Sequence, residues 1–224
     1  MKDLTVIFLT VNKVPEKWAE YHKSVLLEAV GDASLITVSR NPLDWGHVNM
    51  IQEGEPSVSN IYREILRASL ETDTPYIAIA EDDTLYHKSH FEFRPPMDTY
   101  AFDGHRWGLH TWGNPIFYHK DRYSNAAMIA PRELVISALT ERFEKYTDIN
   151  KLNRIGELGK EKGTIINRHK SMHFWPEIGM VYFSHKNSLD GTEQRKSKKP
   201  GVVQAYDIPY WGKSEDLIKK WWQE

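Results

Sequence analysis

Apolar positions along the chain change period several times, and each change marks an element. Leu4 to Thr10 is a continuous apolar and β-branched run, the pattern of a strand covered on both faces of a parallel sheet. Val11-Asn12-Lys13 ends it. From Pro15 to Val30 the spacing becomes helical, with Trp18, Tyr21, Val25, Leu26 and Ala29 on one side and Gly31 placed as the stop. A second strand is predicted over Ser34 to Ser39. Arg40 to Pro56 then reads as a polar loop marked by proline and glycine, and Ser57 or Ser59 caps a helix that runs to Leu70 with Ile61, Ile65, Leu66 and Leu70 facing inward. The next apolar run, Tyr76 to Ala80, passes without a turn residue into Glu81-Asp82-Asp83.

Strand and helix therefore alternate, which predicts an α/β sheet with right-handed crossovers. Ligands of such sheets lie beyond the carboxyl ends of the strands. Here Val11-Asn12, Ser39-Arg40 and Glu81-Asp83 would converge at those ends. After His90 the rhythm breaks into short pieces: strands over Arg106 to Trp112 and Asn125 to Ala130, a helix from Pro131 to about Tyr146, and a loop or short helix over Gly156 to Gly163. A last strand, Met180 to Ser184, ends in His185-Lys186-Asn187, and a helix from Ser214 to Trp222 closes the pattern. The stretch from Asp190 to Gly201, with Arg195-Lys196-Ser197-Lys198-Lys199, is polar and basic and is expected to be mobile. No internal repeat and no linker separates domains. The expected organisation is one domain in three parts, over 1–110, 111–190 and 191–224, the last holding the basic segment and the closing helix.

At 224 residues the chain can bury about 70–75% of its unfolded surface without staples. It has no cysteine, so disulfides, thiolate metal sites and cysteine nucleophiles are excluded. Catalysis must rest on carboxylates, histidines, hydroxyls or a metal. The formal charge of -2 and mean hydropathy of -0.58 leave no global positive field for nucleic acid. No apolar run approaches the roughly 20 residues of a membrane span, and no cleavable signal is visible. A cytoplasmic protein is expected. The eight tryptophans and eleven tyrosines include Trp107, His110, Trp112, Tyr118 and Trp175 beside polar residues, where flat rings can face sugars or bases.

Three adjacent carboxylates at the end of a buried strand repel one another, and carboxylates seldom approach an interior unless paired or coordinating a cation. A hard divalent ion carrying a diphosphate would remove that repulsion while bridging phosphate oxygens. Two further histidines, His169 and His173, would share one side of a helix, a weak zinc pattern without the glutamate of a metalloprotease motif.

The order Thr10-Val11-Asn12, then Ser59-Asn60-Ile61-Tyr62-Arg63, then Tyr-Ile-Ala-Ile-Ala-Glu-Asp-Asp resembles glycosyltransferases of the GT-A fold, in the style of family 2, over roughly the first 110 residues. The compact chain is also similar to short bacteriophage glycosyltransferases, some of which modify hydroxymethylated DNA bases. The resemblance implies a Rossmann-like mixed sheet flanked by helices. It implies a metal-dependent transfer of a sugar from a nucleoside-diphosphate donor, taken as UDP-linked, to a hydroxyl of a glycan or of modified DNA, with Mn2+ or Mg2+ as cofactor. Asp83 would then be the direct metal ligand, with His185 as a late second ligand. Glu81 and Asp82 would face the donor, with Thr10, Asn12, Arg40, Asn60 and Arg63 around the nucleotide and Lys198 and Lys199 in a lid over the diphosphate.

Two features depart from the family pattern: Ser39-Arg40 stands where an acidic residue commonly contacts the nucleotide, and the later acidic helix motif is not legible. Glu157, flanked by Gly156 and Gly159, is the choice for general base, and Glu133 the second candidate, although its place in a first helical turn is explained by the helix dipole. Competing readings are a sugar nucleotidyltransferase, which usually carries a glycine-rich loop absent from Thr10 to Pro15, and a non-catalytic carbohydrate- or nucleic-acid-binding module with structural calcium.

Overall fold

The computed structural model describes residues 1–120, 122–153, 155–159, 170–187 and 202–222. In chain order the first elements are β1 (Leu4–Thr10), α1 (Glu16–Val30), β2 (Ser34–Ser39), β3 (Val48–Ile51), α2 (Val58–Leu70), β4 (Tyr76–Glu81), β5 (Thr84–Leu85), α3 (Lys88–Phe91), β6 (Thr99–Asp103), β7 (Arg106–His110) and β8 (Phe117–His119). A 3-10 turn (Asn125–Ala127) leads into β9 (Met128–Pro131), α4 (Arg132–Lys145), α5 (Ile149–Leu152), β10 (Lys170–Phe174), β11 (Met180–Ser184), β12 (Gln204–Ala205), β13 (Asp207–Ile208), β14 (Gly212–Lys213) and α6 (Ser214–Trp221).

The main sheet has seven strands in the order β10-β6-β9-β4-β1-β2-β3. Strands β3, β2, β1 and β4 run parallel, and β9 is antiparallel to both β4 and β6. This is the α/β sheet that the alternating pattern predicts, mixed and flanked by helices as the resemblance implies. The continuous apolar runs arise because both faces of this sheet are covered. On one face Ile7, Leu9, Ile36, Val38, Ile77 and Ile79 meet Ile65 of α2 and Val135 and Leu139 of α4. On the other, Val6, Phe8, Leu35, Ala78 and Ala80 meet Leu26, Ala29 and Val30 of α1. A second sheet, β12-β8-β7-β11-β5, packs its own core of Leu109, Val181 and Phe183 against Trp18 of α1 and Leu217 of α6.

The helix ends follow local chemistry. Gly31 takes φ 58, in the left-handed region, and its amide donates to the Leu27 carbonyl, ending α1. Ser57 caps α2, its hydroxyl accepting from the Asn60 amide at 3.1 Å. Ser59 is inside the helix, and its amide donates to Asn153.

The structure corrects the sequence reading in several places. The predicted loop over 40–56 contains the edge strand β3, whose four residues, Val-Asn-Met-Ile, are too few for a period to show and are mostly exposed. The predicted strand over 125–130 begins as a 3-10 turn. His173 lies on β10, paired in parallel with β6, so its strand geometry removes the helical His169/His173 zinc pattern; His169 lies outside the described residues. The basic stretch from Asp190 to Gly201 also lies outside them. No helix among the described residues is long and apolar enough to cross a membrane.

Candidate active site

Strands β1 and β4 are in parallel register, Leu9 beside Glu81, so Thr10 and the acidic run leave the sheet together. The Thr10 hydroxyl donates to the Asp82 carboxylate and accepts from the Asn12 amide at 2.9 Å. Trp18, buried on α1, donates its indole N–H to the Asp82 carbonyl at 2.7 Å. The Thr84 hydroxyl donates to Asp83 Oδ1 at 2.9 Å, and the Phe183 amide donates to the Asp83 carbonyl at 2.7 Å. That last bond continues the antiparallel pairing of β5 with β11, and it explains the position of His185. Two residues past Phe183, its Nε2 lies 3.9 Å from Asp83 Oδ2.

These groups line a cleft of about 350 Å³. Leu9, Val11, Val58 and Ile61 contribute apolar surface to it, and Glu81, Asp82, Asp83, Arg106 and His185 contribute charge and hydrogen-bonding groups. Burial, then the neighbouring Asp83 charge, pushes Glu81 up to about 8, with Arg106 opposing. Burial and Asp83 push Asp82 up to about 7, against the Thr10 hydrogen bond. Asp83 is also raised by burial, with His185, Thr84 and Arg106 pulling the other way. The acids are not sealed, since Asp83 keeps 21% of its side chain exposed, so a cation and its ligand can reach them from the cleft.

A carboxylate and an imidazole are donor types that a divalent ion accepts. One carboxylate and one imidazole face each other at 3.9 Å, slightly wider than the roughly 3–3.5 Å between neighbouring ligands on one ion, so a small side-chain shift brings both onto it. Among the described residues no group of three or more His, Asp or Glu side chains has metal-site spacing. The remaining coordination positions would belong to substrate oxygens and water.

Of the residues singled out from the sequence, Thr10, Glu81, Asp82, Asp83, Glu157 and His185 line this one cleft. Asn12 does not; with φ 56, it ties the ends of β1 and β2 together by accepting from the Asn41 amide at 2.8 Å. Arg40 clamps the loop before α2 through the Gly54 carbonyl and Glu55. Asn60 lines a smaller neighbouring cavity with Gln52 and Glu64, and Arg63 lies over the Phe143 ring at 5.2 Å. Lys198 and Lys199 lie outside the described residues. Glu133 pairs with Arg132 at the start of α4.

The loop carrying Glu157 is anchored by its neighbour. The Gly156 carbonyl accepts from the Tyr62 hydroxyl and from Arg142, each at 3.1 Å. Gly156 takes φ 94 with nothing near a prospective Cβ, so backbone conformation rather than close approach calls for glycine there. Burial, then the Glu157 charge, pushes Tyr62 up to about 12, and the same charge also raises Glu81.

Sequence reasoning missed Arg106. It opens β7, is 5% exposed, and lies 3.9 Å over the Tyr182 ring. An arginine at an inward position of a strand was the available signal. Of the five aromatic-patch residues, His110 and Trp112 stack at 4.6 Å, Tyr118 is buried, and Trp175 is exposed beside His119.

The sequence matches no family model, and no curated protein matches it. Among solved structures the chain is similar to HddC from Yersinia pseudotuberculosis, at 14% identity and a TM-score of 0.46, covering 80% of this chain and 92% of that one. It is similar to 2-C-methyl-D-erythritol 4-phosphate cytidylyltransferase from Thermus thermophilus, at 10% identity and a TM-score of 0.43, covering 84% and 98%. It is also similar to the bifunctional IspDF from Campylobacter jejuni, at 10% identity and a TM-score of 0.38, covering 78% of this chain. The chain spans 50% of the length of that last protein.

Proposed function

We propose that this chain is a glycosyltransferase that moves a sugar from a nucleoside-diphosphate donor to an acceptor hydroxyl with a divalent ion bound. The observation that carries the reading is the meeting of Asp83 and His185 at 3.9 Å, beside Glu81 and Asp82, in a cleft with an apolar flank. Asp83 and His185 would hold the ion, which when bound offsets charge on the departing diphosphate. Leu9, Val11, Val58 and Ile61 offer apolar surface for a flat base. The acceptor oxygen forms its bond to the anomeric carbon as the bond to the diphosphate oxygen breaks. The acceptor proton passes to Glu157, the carboxylate carried on the anchored loop.

The test is a thermal-shift screen with nucleoside diphosphates, with and without Mn2+, followed by turnover with the matching nucleotide sugar. Metal-dependent stabilisation by one nucleotide and release of nucleoside diphosphate are expected. Pyrophosphate release from a nucleoside triphosphate and a sugar phosphate would assign the alternative, a sugar nucleotidyltransferase. Tight sugar or nucleic-acid binding without turnover of either substrate would assign a binding module.

A further inference from the structure

Arg106 is unusual among the charged residues of the cleft. Its Nε and Nη1 are buried and have no hydrogen-bond partner among the described residues. No carboxylate lies within ion-pair distance of it among them, although its charge is felt by Glu81 and Asp83. A guanidinium serving only as counter-charge to those acids would be expected to bond to one of them. Unpaired buried N–H groups are costly, and they persist where a partner arrives later.

The surroundings hold the group in one plane. Its face lies on the Tyr182 ring at 3.9 Å, and the Tyr182 hydroxyl donates to the Tyr118 hydroxyl at 2.9 Å. Gly108 leaves the space these two rings occupy, since a Cβ there would meet Tyr118 at 2.4 Å and Tyr182 at 2.6 Å. The ring contact restricts the group, and the residue lines the cleft, where a ligand can meet it. A planar fork of donors matches phosphate oxygens in a way a point charge does not.

We infer that Arg106 is an anion-binding residue that grips a phosphate of the diphosphate group in the cleft it shares with Asp83 and His185. This rests on the proposed reading of the cleft as a diphosphate site. Arg106 would offset, together with the ion that Asp83 and His185 would hold, the charge that develops as the diphosphate departs.

The test uses inorganic pyrophosphate with Mn2+, titrated calorimetrically into the full chain and into Arg106→Met. Affinity should fall about ten- to a hundredfold in the variant, as expected for losing a charged hydrogen-bonded contact, while Mn2+ binding alone stays within about twofold. Should Arg106→Met fail to fold, Arg106→Lys keeps the positive charge near Glu81 and carries the test, with weaker pyrophosphate binding expected because the planar fork is lost. Wild-type affinity in a folded variant overturns the inference, as does absence of pyrophosphate binding by the wild-type chain. The reading of the reaction is judged separately, by turnover of nucleotide sugars. Arg106-dependent pyrophosphate binding without such turnover keeps this site and removes the glycosyltransferase.

Discussion

At the scale of single residues the site is governed by charge crowding at a strand end. Asp83 is the acid closest to His185, so Asp83→Asn should lower turnover at least about a hundredfold, the loss of several kcal/mol of charge stabilisation. Its melting temperature should stay at or above that of the wild type, because one of three mutually repelling groups is gone. Steady-state kinetics and a melting curve on the same preparation check both halves. His22, buried beneath the acidic turn with its Nε2 2.8 Å from the Thr84 carbonyl, gives a pH prediction. Burial lowers its pKa from 6.5 to about 4, so the unfolded chain binds a proton there that the folded chain does not. Its contribution is complete above about pH 6.5 and is lost as pH falls toward 4, amounting to about 3 kcal/mol. Urea melts of the wild type and His22→Gln should therefore differ in pH slope between 4 and 6.5 and run parallel above it. Taking the difference removes the opposite-signed contributions of Glu81 and Asp82.

Among the elements, the strands of the second sheet decide where the Arg106 guanidinium sits. Gly108 on β7 is the point at which β8 and β11 lay their tyrosines across the strand. Gly108→Ala should cost about 1–3 kcal/mol by overpacking and also weaken pyrophosphate binding, because the Tyr182 ring beneath Arg106 is displaced. The cap of α2 offers a control, since Ser57 does not line the cleft. Ser57→Ala should cost about 1 kcal/mol of stability in denaturant melts with little change in pyrophosphate affinity. The elements of the first half were legible because they alternate long apolar strands with amphipathic helices. β3, β5, β8 and β12 were not, since strands of two to four residues give too few positions for a period to show. β6 is different: Thr99–Asp103 is buried throughout, but it follows a proline-rich turn and ends on Asp103, whose bond to the buried His90 at 2.8 Å only the packed structure reveals.

Across the whole molecule, the C-terminal helix reaches back to the site. Trp222 packs against Trp18 at 4.9 Å, Phe183 at 5.4 Å and His185 at 5.0 Å. Trp18 in turn holds the Asp82 carbonyl. The end of α6 thus backs both histidine and acidic turn, and Trp222→Ala should lower stability by about 3–5 kcal/mol. In the folded fraction it should weaken Mn2+ binding more than it weakens nucleotide binding, which titration at low temperature can separate. The sequence by itself determined the parallel half of the sheet and the acidic strand end, because burial on both faces writes a continuous apolar run and its termination by three carboxylates is local. It also pointed to His185 and Glu157, each flagged by a neighbouring strand end or glycine. Only the tertiary structure decided that Asn12, Arg40, Asn60 and Arg63 serve contacts outside the cleft while Arg106 enters it. Whether a polar side chain ties down a loop or faces a ligand depends on partners far away in the chain, and no local period records them.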